Sequence, residues 1–337
     1  SDGIGEKSIY GFQWMSDERF IYRPGLTNAK GRNMNALVTI AVNVDGSKRK
    51  IIGQQEMKGG QGSWTGMSVV DRLDSDPKHV IVSSNERRAF RSDFYKMNIF
   101  TGKKNLMAIG FVPKNAKGDR VYGTYRDQEG YPIATLVDES LDRVIYTYDK
   151  DSKEWSEHIR FTCQQPSFTP LAATDKGWLV TGSKFSPNGE LEEYNDTNAL
   201  YLYDPETREF SDKLYQDPNY DVGGFTGTCR NASGGAGVDY DTRKLLYVTY
   251  EAQEPVKIYF DDEIAEIYNG LDAVFPNEWV SVVTRDKERN KMVIRVSSPS
   301  NPGDYYFYNR QASQLIPLYT YAPWIDRKIM AETIPVK

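Results

Sequence analysis

The chain has 337 residues, 39% of them hydrophobic and 26% charged, with a net charge of −5 and a pI near 5.4. These values describe a globular protein with a sizeable core and exclude a disordered chain. With no basic block to displace counterions and no apolar run of about 18 residues, they also argue against a nucleic-acid binder and a membrane-spanning helix.

Aromatic content of 13%, driven by 23 tyrosines, favours pleated, half-buried surfaces. The opening SDGIGEKSIYGF lacks the charged start and apolar core of a signal peptide, so the expectation is a soluble protein, cytoplasmic or periplasmic. From there one unit recurs roughly every 54 residues: an apolar stretch, a polar turn, then an apolar strand. It appears as FQWMSDERFIYRP from Phe12, VVDRLDSDPKHVIVSS from Val69 and FVPKNAKGDRVYGTY from Phe111. It returns as PLAATDKGWLVTGSK from Pro170, GVDYDTRKLLYVTY from Gly237 and VVTRDKERNKMVIRVSS from Val282. Asp17, Asp76, Gly118, Gly177, Thr242 and Glu288 mark the six turns.

A second hairpin follows in most units, as in ALVTIAVNVDGSKRKII, DFYKMNIFTGKKNLM, VIYTYDKDSKEWSEHIRF, ALYLYDPETREFSDKL and YYFYNRQASQLIPL. Their shared form is a strand, then D/N-x-x-(T/S)-x-x, then a strand, with Asp or Gly supplying the turn. Two hairpins per unit make a four-stranded sheet. Sheets repeated at this period predict an all-β propeller of antiparallel blades, because a single small sheet cannot bury both its faces alone. Six units are visible, and seven are expected in the intact protein. One short helix is expected near 262–271, where Ile264, Ile267, Tyr268 and Leu271 share a face and acidic residues open the first turn.

Reactive constellations are scarce. His79 and His158 are the only histidines, and both read as surface or strand-face residues. The serine elbow G-x-S-x-G is absent; Gly62-Ser63-Trp64-Thr65-Gly66 misplaces its serine and reads as a loop. Asp71, Asp74 and Asp76, the pair Glu192 and Glu193, and the pair Asp261 and Asp262 read as solvated turns rather than paired acids or a calcium loop. A sialidase-type box has one faint echo, Thr174 to Trp178. Cys163 and Cys229 lack metal-site spacing, and either one bridge or two half-buried thiols would suit them. The sequons at Asn195 and Asn231 carry little weight. The expectation is therefore no catalytic residue, no cofactor site and no metal site in this chain.

Taken together, GFQWMSDERFIY, LVTIAVNVDGSKRKII, DPKHVIVSS, DFYKMNIFTGKK, NALYLYDPETREF, SSPSNPGDYYFYNR and the terminal PWIDRKIMAETIPV carry a resemblance. In their order they resemble the N-terminal propeller of the prolyl oligopeptidase family of serine peptidases, closest to its bacterial dipeptidyl- and acylaminoacyl-peptidase-like members. The resemblance implies a propeller over 1–328 and, over 329–337, the start of a linker to a C-terminal α/β-hydrolase domain that this chain lacks. It implies that the propeller gates peptides toward an active site on that domain, and that the chain alone is inactive. Arg87, Arg88 and Arg91 could help orient a peptide terminus, but a solvated charged loop is the favoured reading and none is taken as a site residue. The alternatives are a free-standing propeller that binds proteins or peptides, and a propeller enzyme acting on glycans.

Overall fold

A computed structural model describes residues 8–27, 33–34, 38–54, 57–58, 63–64, 66–73, 75–88, 91–115, 118–162, 164–224 and 233–330. These residues form a six-bladed β-propeller with a single α-helix. Each blade is an antiparallel sheet made from one contiguous stretch of chain.

Sheet 1 runs Ser8–Ser16, Arg19–Thr27, Val38–Asn43, Lys50–Gln54, with Asn33–Met34 paired to its second strand. Sheet 2 runs Met67–Arg72, His79–Arg88, Arg91–Asn98, Lys104–Ala108, and sheet 3 runs Arg120–Arg126, Pro132–Glu139, Asp142–Tyr148, Trp155–Thr162. Sheet 4 has Phe168–Thr174, Gly177–Gly182 and Ala199–Tyr203; its returning limb makes only the bridges Leu200 to Tyr215 and Tyr203 to Phe210. Sheet 5 has Gly234–Val238, Leu245–Glu251 and Pro255–Tyr259, and helix α1 (Asp262–Val274) stands where its fourth strand would lie. Sheet 6 runs Trp279–Arg285, Lys291–Ser298, Asn301–Asn309, Gln314–Thr320.

Position within a blade explains the hydrophobic patterning. Middle strands are covered on both faces by neighbouring blades, so Gly177–Gly182 is buried almost throughout and reads as a continuous apolar run. The outermost Gln314–Thr320 is almost entirely exposed. Helix α1 begins where the Asp261 side chain accepts a hydrogen bond from the Ile264 amide, a standard N-cap. Its buried face is Ile264, Ile267, Tyr268 and Leu271, the four residues expected from the spacing.

Five of the six blade junctions are filled by apolar clusters. Met15, Ile21 and Ala41 meet Val80, Val82 and Met97 between sheets 1 and 2. Phe94 and Ala108 meet Tyr148 between sheets 2 and 3. Leu136, Ile145 and Phe161 meet Phe168, Trp178 and Tyr203 between sheets 3 and 4, and Leu179 and Leu200 meet Val248 and Tyr250 between 4 and 5. Helix α1 joins sheet 5 to sheet 6 through Tyr268 against Leu246 and through Ile267 and Leu271 against Val280 and Met292. Among the described residues no such cluster spans sheets 6 and 1. A cavity of about 600 Å³ lies there, lined by Trp14, Asp17, Arg72, Lys287, Val293 and Phe307 among others.

One unit read from the sequence is out of place. Gly118 lies in the loop before the third innermost strand, and the hairpin turn is Asp127 to Tyr131, closed by the Asp127 amide on the Tyr131 carbonyl at 3.0 Å. The apolar Phe111 that suggested a strand packs instead on Tyr146 and Trp155, with ring centroids 4.4 and 5.9 Å away. Gly130 in the true turn has φ +85°, and a Cβ there would come 2.4 Å from Ile81 Cγ1 of sheet 2. The turn must therefore carry glycine to let the two blades close.

Candidate functional site

In each sheet the first strand in sequence is innermost, and the strands of five sheets line an axial cavity of about 660 Å³. Sheet 1 supplies Phe12 and Trp14, sheet 2 Val70 to Arg72, sheet 3 Arg126, sheet 5 Ala236 to Val238, and sheet 6 Val282 to Arg285. Because these strands run the same way around the ring, their C-terminal ends and the turns that follow gather on one face.

Five arginines line the cavity: Arg72, Arg126, Arg243, Arg285 and Arg289. Among the described residues one carboxylate joins them in the lining, Asp71. Asp71 is buried, contrary to the solvated turn expected for it, because it lies on the innermost strand of sheet 2. Its Oδ2 accepts from Arg243 Nη2 and lies 3.5 Å from Arg126 Nε. Arg243 then binds sheet 5 to three others. Its Nη2 donates to the Asp127 carbonyl at 2.9 Å in sheet 3, and its own carbonyl accepts from the Asp175 amide at 3.1 Å in sheet 4.

The remaining arginines are held at their heads. Arg126 Nη1 donates to the Thr124 carbonyl at 3.1 Å and Nη2 to the Val70 carbonyl at 2.5 Å. Arg72 Nη1 reaches the Trp14 carbonyl at 3.3 Å, with its guanidinium 5.7 Å from the Tyr240 ring. Arg289 pairs with Asp239 at 3.1 Å and Glu263 at 2.6 Å, while Arg285 Nη1 donates to backbone carbonyls of Asp286 and Lys287 at 3.1 and 3.4 Å. Burial pushes Arg126 below its ordinary value, with Asp71 opposing and Arg243 reinforcing that shift. Asp71 Oδ1 and the Nε atoms of Arg126, Arg243 and Arg289 are buried with no hydrogen-bond partner. The turn end of the axis is further bridged by the Ser75 amide on Asp241 Oδ1 at 2.9 Å, joining sheets 2 and 5 across the ring.

The local sequence explains the array. Arg72, Arg126 and Arg285 each end an innermost strand. Arg243 closes a turn in which Asp239 Oδ1 accepts from the amides of Asp241 and Thr242 at 3.2 and 3.0 Å, which sets Arg243 at φ +57°. The same Asp-x-x-(Ser/Thr)-basic turn recurs at Asp149 to Lys153 and Asp204 to Arg208, with φ +61° and +63°. There it tips outer hairpins, and only at Arg243 does it face the axis.

The residues singled out in the sequence lie elsewhere. His79 Nδ1 is 3.0 Å from both Asp76 carboxylate oxygens, and Lys96 is 2.8 Å from the same acid. Those partners hold Asp76 at about 2 against the opposing effect of its burial. His158 shares a 2.7 Å hydrogen bond with Tyr203 and sits edge-on to Trp178; burial, helped by Arg208, depresses its pKa to about 4. Among the described residues neither ring is hydrogen-bonded to a serine, and no group of three or more His, Cys, Asp or Glu is placed to hold a metal.

Arg87 and Arg91 pair with buried Asp93 at 3.2 Å each, and Arg88 is exposed. Asp261 caps α1, and Asn195 is buried with Nδ2 on the Gly182 carbonyl and the Tyr201 hydroxyl at 2.9 and 2.8 Å. Asp74, Cys163, Cys229, Asn231 and Gly62 fall outside the described residues, whereas Ser63–Trp64, expected in a loop, form a short strand paired antiparallel with Met57–Lys58.

Fold and cavity define a β-propeller whose axis is lined, among the described residues, by five arginines and one carboxylate. No protein-family model matches the sequence, and no curated protein is significantly similar to it. Among solved structures it is similar to the β-propeller domain of the Trilobed protease from Pyrococcus furiosus, at 11% identity and TM-score 0.46, covering 93% of this chain and 85% of that one. It is also similar to TolB from Acinetobacter baumannii, at 11% identity and TM-score 0.39, over 92% of this chain and 66% of that one. A post-proline cleaving enzyme from Rickettsia typhi matches at 10% identity and TM-score 0.39, over 96% of this chain but 55% of its own length. Likeness this distant adds nothing to the architecture that the six sheets already define, and says nothing of substrate or partner. No helix among the described residues is long and apolar enough to cross a membrane.

Proposed function

We propose that this chain is the non-catalytic propeller of a serine peptidase and admits peptides to an active site on a hydrolase domain outside it. Residues 1–328 form the propeller in this reading, and 329–337 begin the linker. Support comes from the order of sequence motifs that resembles prolyl oligopeptidase propellers. The observation that carries it is the axial cavity, about 660 Å³ and within the range of small-ligand sites, which suits a few extended residues and rejects a folded domain. The test compares a hydrolase domain with and without this propeller attached. Cleavage of short peptides should persist in both, whereas cleavage of a folded protein should rise once the propeller is removed. Equal cleavage of folded protein by the two forms contradicts gating, and hydrolysis by the isolated chain contradicts the non-catalytic role.

A second reading, a free-standing protein-binding platform, is favoured by the edge of sheet 6. There Ile316, Leu318, Tyr319 and Tyr321 are exposed, as is Trp324 at 80%. Apolar surface gathered on one edge suits a protein partner.

A further inference from the structure

We infer that Lys257 is a carbonyl-reactive amine, a site that captures small aldehydes as a Schiff base. Lys257 lies on the third strand of sheet 5, Pro255–Tyr259, where the register sets it opposite Thr249 and sets Tyr259 opposite Tyr247. Alternation puts these four residues on one face of the sheet. The other face carries Val248, Tyr250, Val256 and Ile258 against sheet 4. Helix α1 covers the first face with Tyr268, whose ring lies 5.7 Å from that of Tyr259 and 6.2 Å from that of Tyr247.

The amine is held among aromatic rings and not by an acid. Its Nζ stands 3.3 Å from the centroid of the Tyr268 ring and 5.4 Å from that of Tyr247. Among the described residues it makes no hydrogen bond and no ion pair. Lys96, Lys104, Lys150, Lys213 and Lys244, by contrast, each hold a carboxylate at 2.5 to 2.8 Å. Asp272, one turn beyond Tyr268 on α1 and exposed, acts on Lys257 only from beyond ion-pair reach. Burial therefore lowers Lys257 to about 8, with Asp272 opposing. The phenols of Tyr247, Tyr259 and Tyr268 are raised by their own burial and stay protonated over the same range. A desolvated lysine without a counter-ion reaches its neutral, nucleophilic state near physiological pH.

The rings also select the product. An acyl group would abolish the charge and leave a neutral amide against two aromatic faces, whereas a protonated imine keeps a cation there. In the reaction the Nζ lone pair attacks the carbonyl carbon, and the C=O π electrons move to oxygen. One amine proton passes to that oxygen; a second proton then releases it as water while the nitrogen lone pair closes the C=N bond. Amine and aldehyde give imine and water, with no oxidant or reductant consumed. Because α1 lies over this face, aldehydes of a few carbons are the expected class.

The test is reductive trapping on the full chain. Propionaldehyde and cyanoborohydride are added at pH 7, and the secondary amines formed are located by peptide mass spectrometry. At that pH about one Lys257 in ten is neutral, against about one in three thousand for a lysine at the ordinary 10.5. Weaker basicity and the cover of the helix reduce this advantage. Lys257 should still react about tenfold faster than the exposed Lys50, Lys153 and Lys176. The ratio should fall to about one at pH near 10, where all four amines are largely neutral, and should vanish in urea. Lys257→Arg, which keeps a cation over Tyr268, should remove the fast site and leave the melting temperature unchanged. Reaction of Lys257 within about threefold of the three exposed lysines at pH 7 overturns the assignment, as does a preference that survives in urea. Selective acetylation of Lys257 by acetyl phosphate without aldehyde capture overturns the Schiff base as its product.

Discussion

The junction between sheets 3 and 4 and the junction between sheets 6 and 1 are built on opposite principles. At the first, Phe168 is 1% exposed and its ring lies 4.9 to 6.1 Å from those of Phe161, Phe185, Tyr203 and Phe210. At the second, charged Asp17, Arg72 and Lys287 line a cavity of about 600 Å³ beside a half-buried Phe307. A ring closes only if every junction holds, and here cohesion is uneven. Five junctions hold by apolar packing; the sixth depends on its neighbours and on the axis.

The sharpest test of this contrast is Phe168→Ala, expected to cost about 4 kcal/mol in denaturant unfolding because it empties a fully enclosed aromatic site. Asp71→Ala comes next. It leaves Arg126 and Arg243 buried without their shared carboxylate, and a loss of about 3 kcal/mol is expected. A loss under about 1 kcal/mol would mean that the axis contributes little to holding sheets 2, 3 and 5 together.

A third effect is pH-dependent and belongs to the aromatic junction. His158 is depressed to about 4 by burial, against an ordinary value of 6.5. Since the folded pKa lies below the unfolded one, the neutral ring's stabilisation is complete above about pH 6.5 and drains away as pH falls toward about 4. Wild type should therefore lose about 2 kcal/mol more than His158→Gln between about pH 7 and about pH 4.5, the common carboxylate effects cancelling in the difference. Equal losses would show that the ring titrates normally. The smallest effect is expected at the open junction, where Phe307→Ala should cost about 1 kcal/mol in the same unfolding measurement. A cost equal to that of Phe168→Ala would abolish the contrast.

The blades were legible in the sequence because their signals are local. Asp-capped turns, period-two alternation and the i, i+3, i+4, i+7 face of α1 each depend on residues a few positions apart. Where a local cue was ambiguous the reading slipped, as at Gly118, because Phe111 is apolar for packing on Tyr146 and Trp155 rather than for strand pairing. The axial site was not legible for the opposite reason. Asp71 and Arg243 are 172 positions apart, and nothing near either residue announces the other. A signal did exist: once the innermost strands are aligned, three of the six end in arginine, at Arg72, Arg126 and Arg285. The arginines noticed first, around Arg87, stood out by clustering along the chain, and clustering along the chain is a poor guide to what meets at an axis.

Arg243 also dictates an order of events during synthesis. A chain is made from its N terminus and its parts fold as they emerge. The acceptors in sheets 2 and 3 and the donor in sheet 4 are therefore in place before the guanidinium they require has left the ribosome. Until residue 243 arrives, Asp71 at the centre of the nascent half-ring has Arg126 beside it but lacks its buried partner from sheet 5, and the aromatic and aliphatic seams carry most of the cohesion. The keystone is laid late, and the dense seam between sheets 3 and 4 is what lets the arc wait for it.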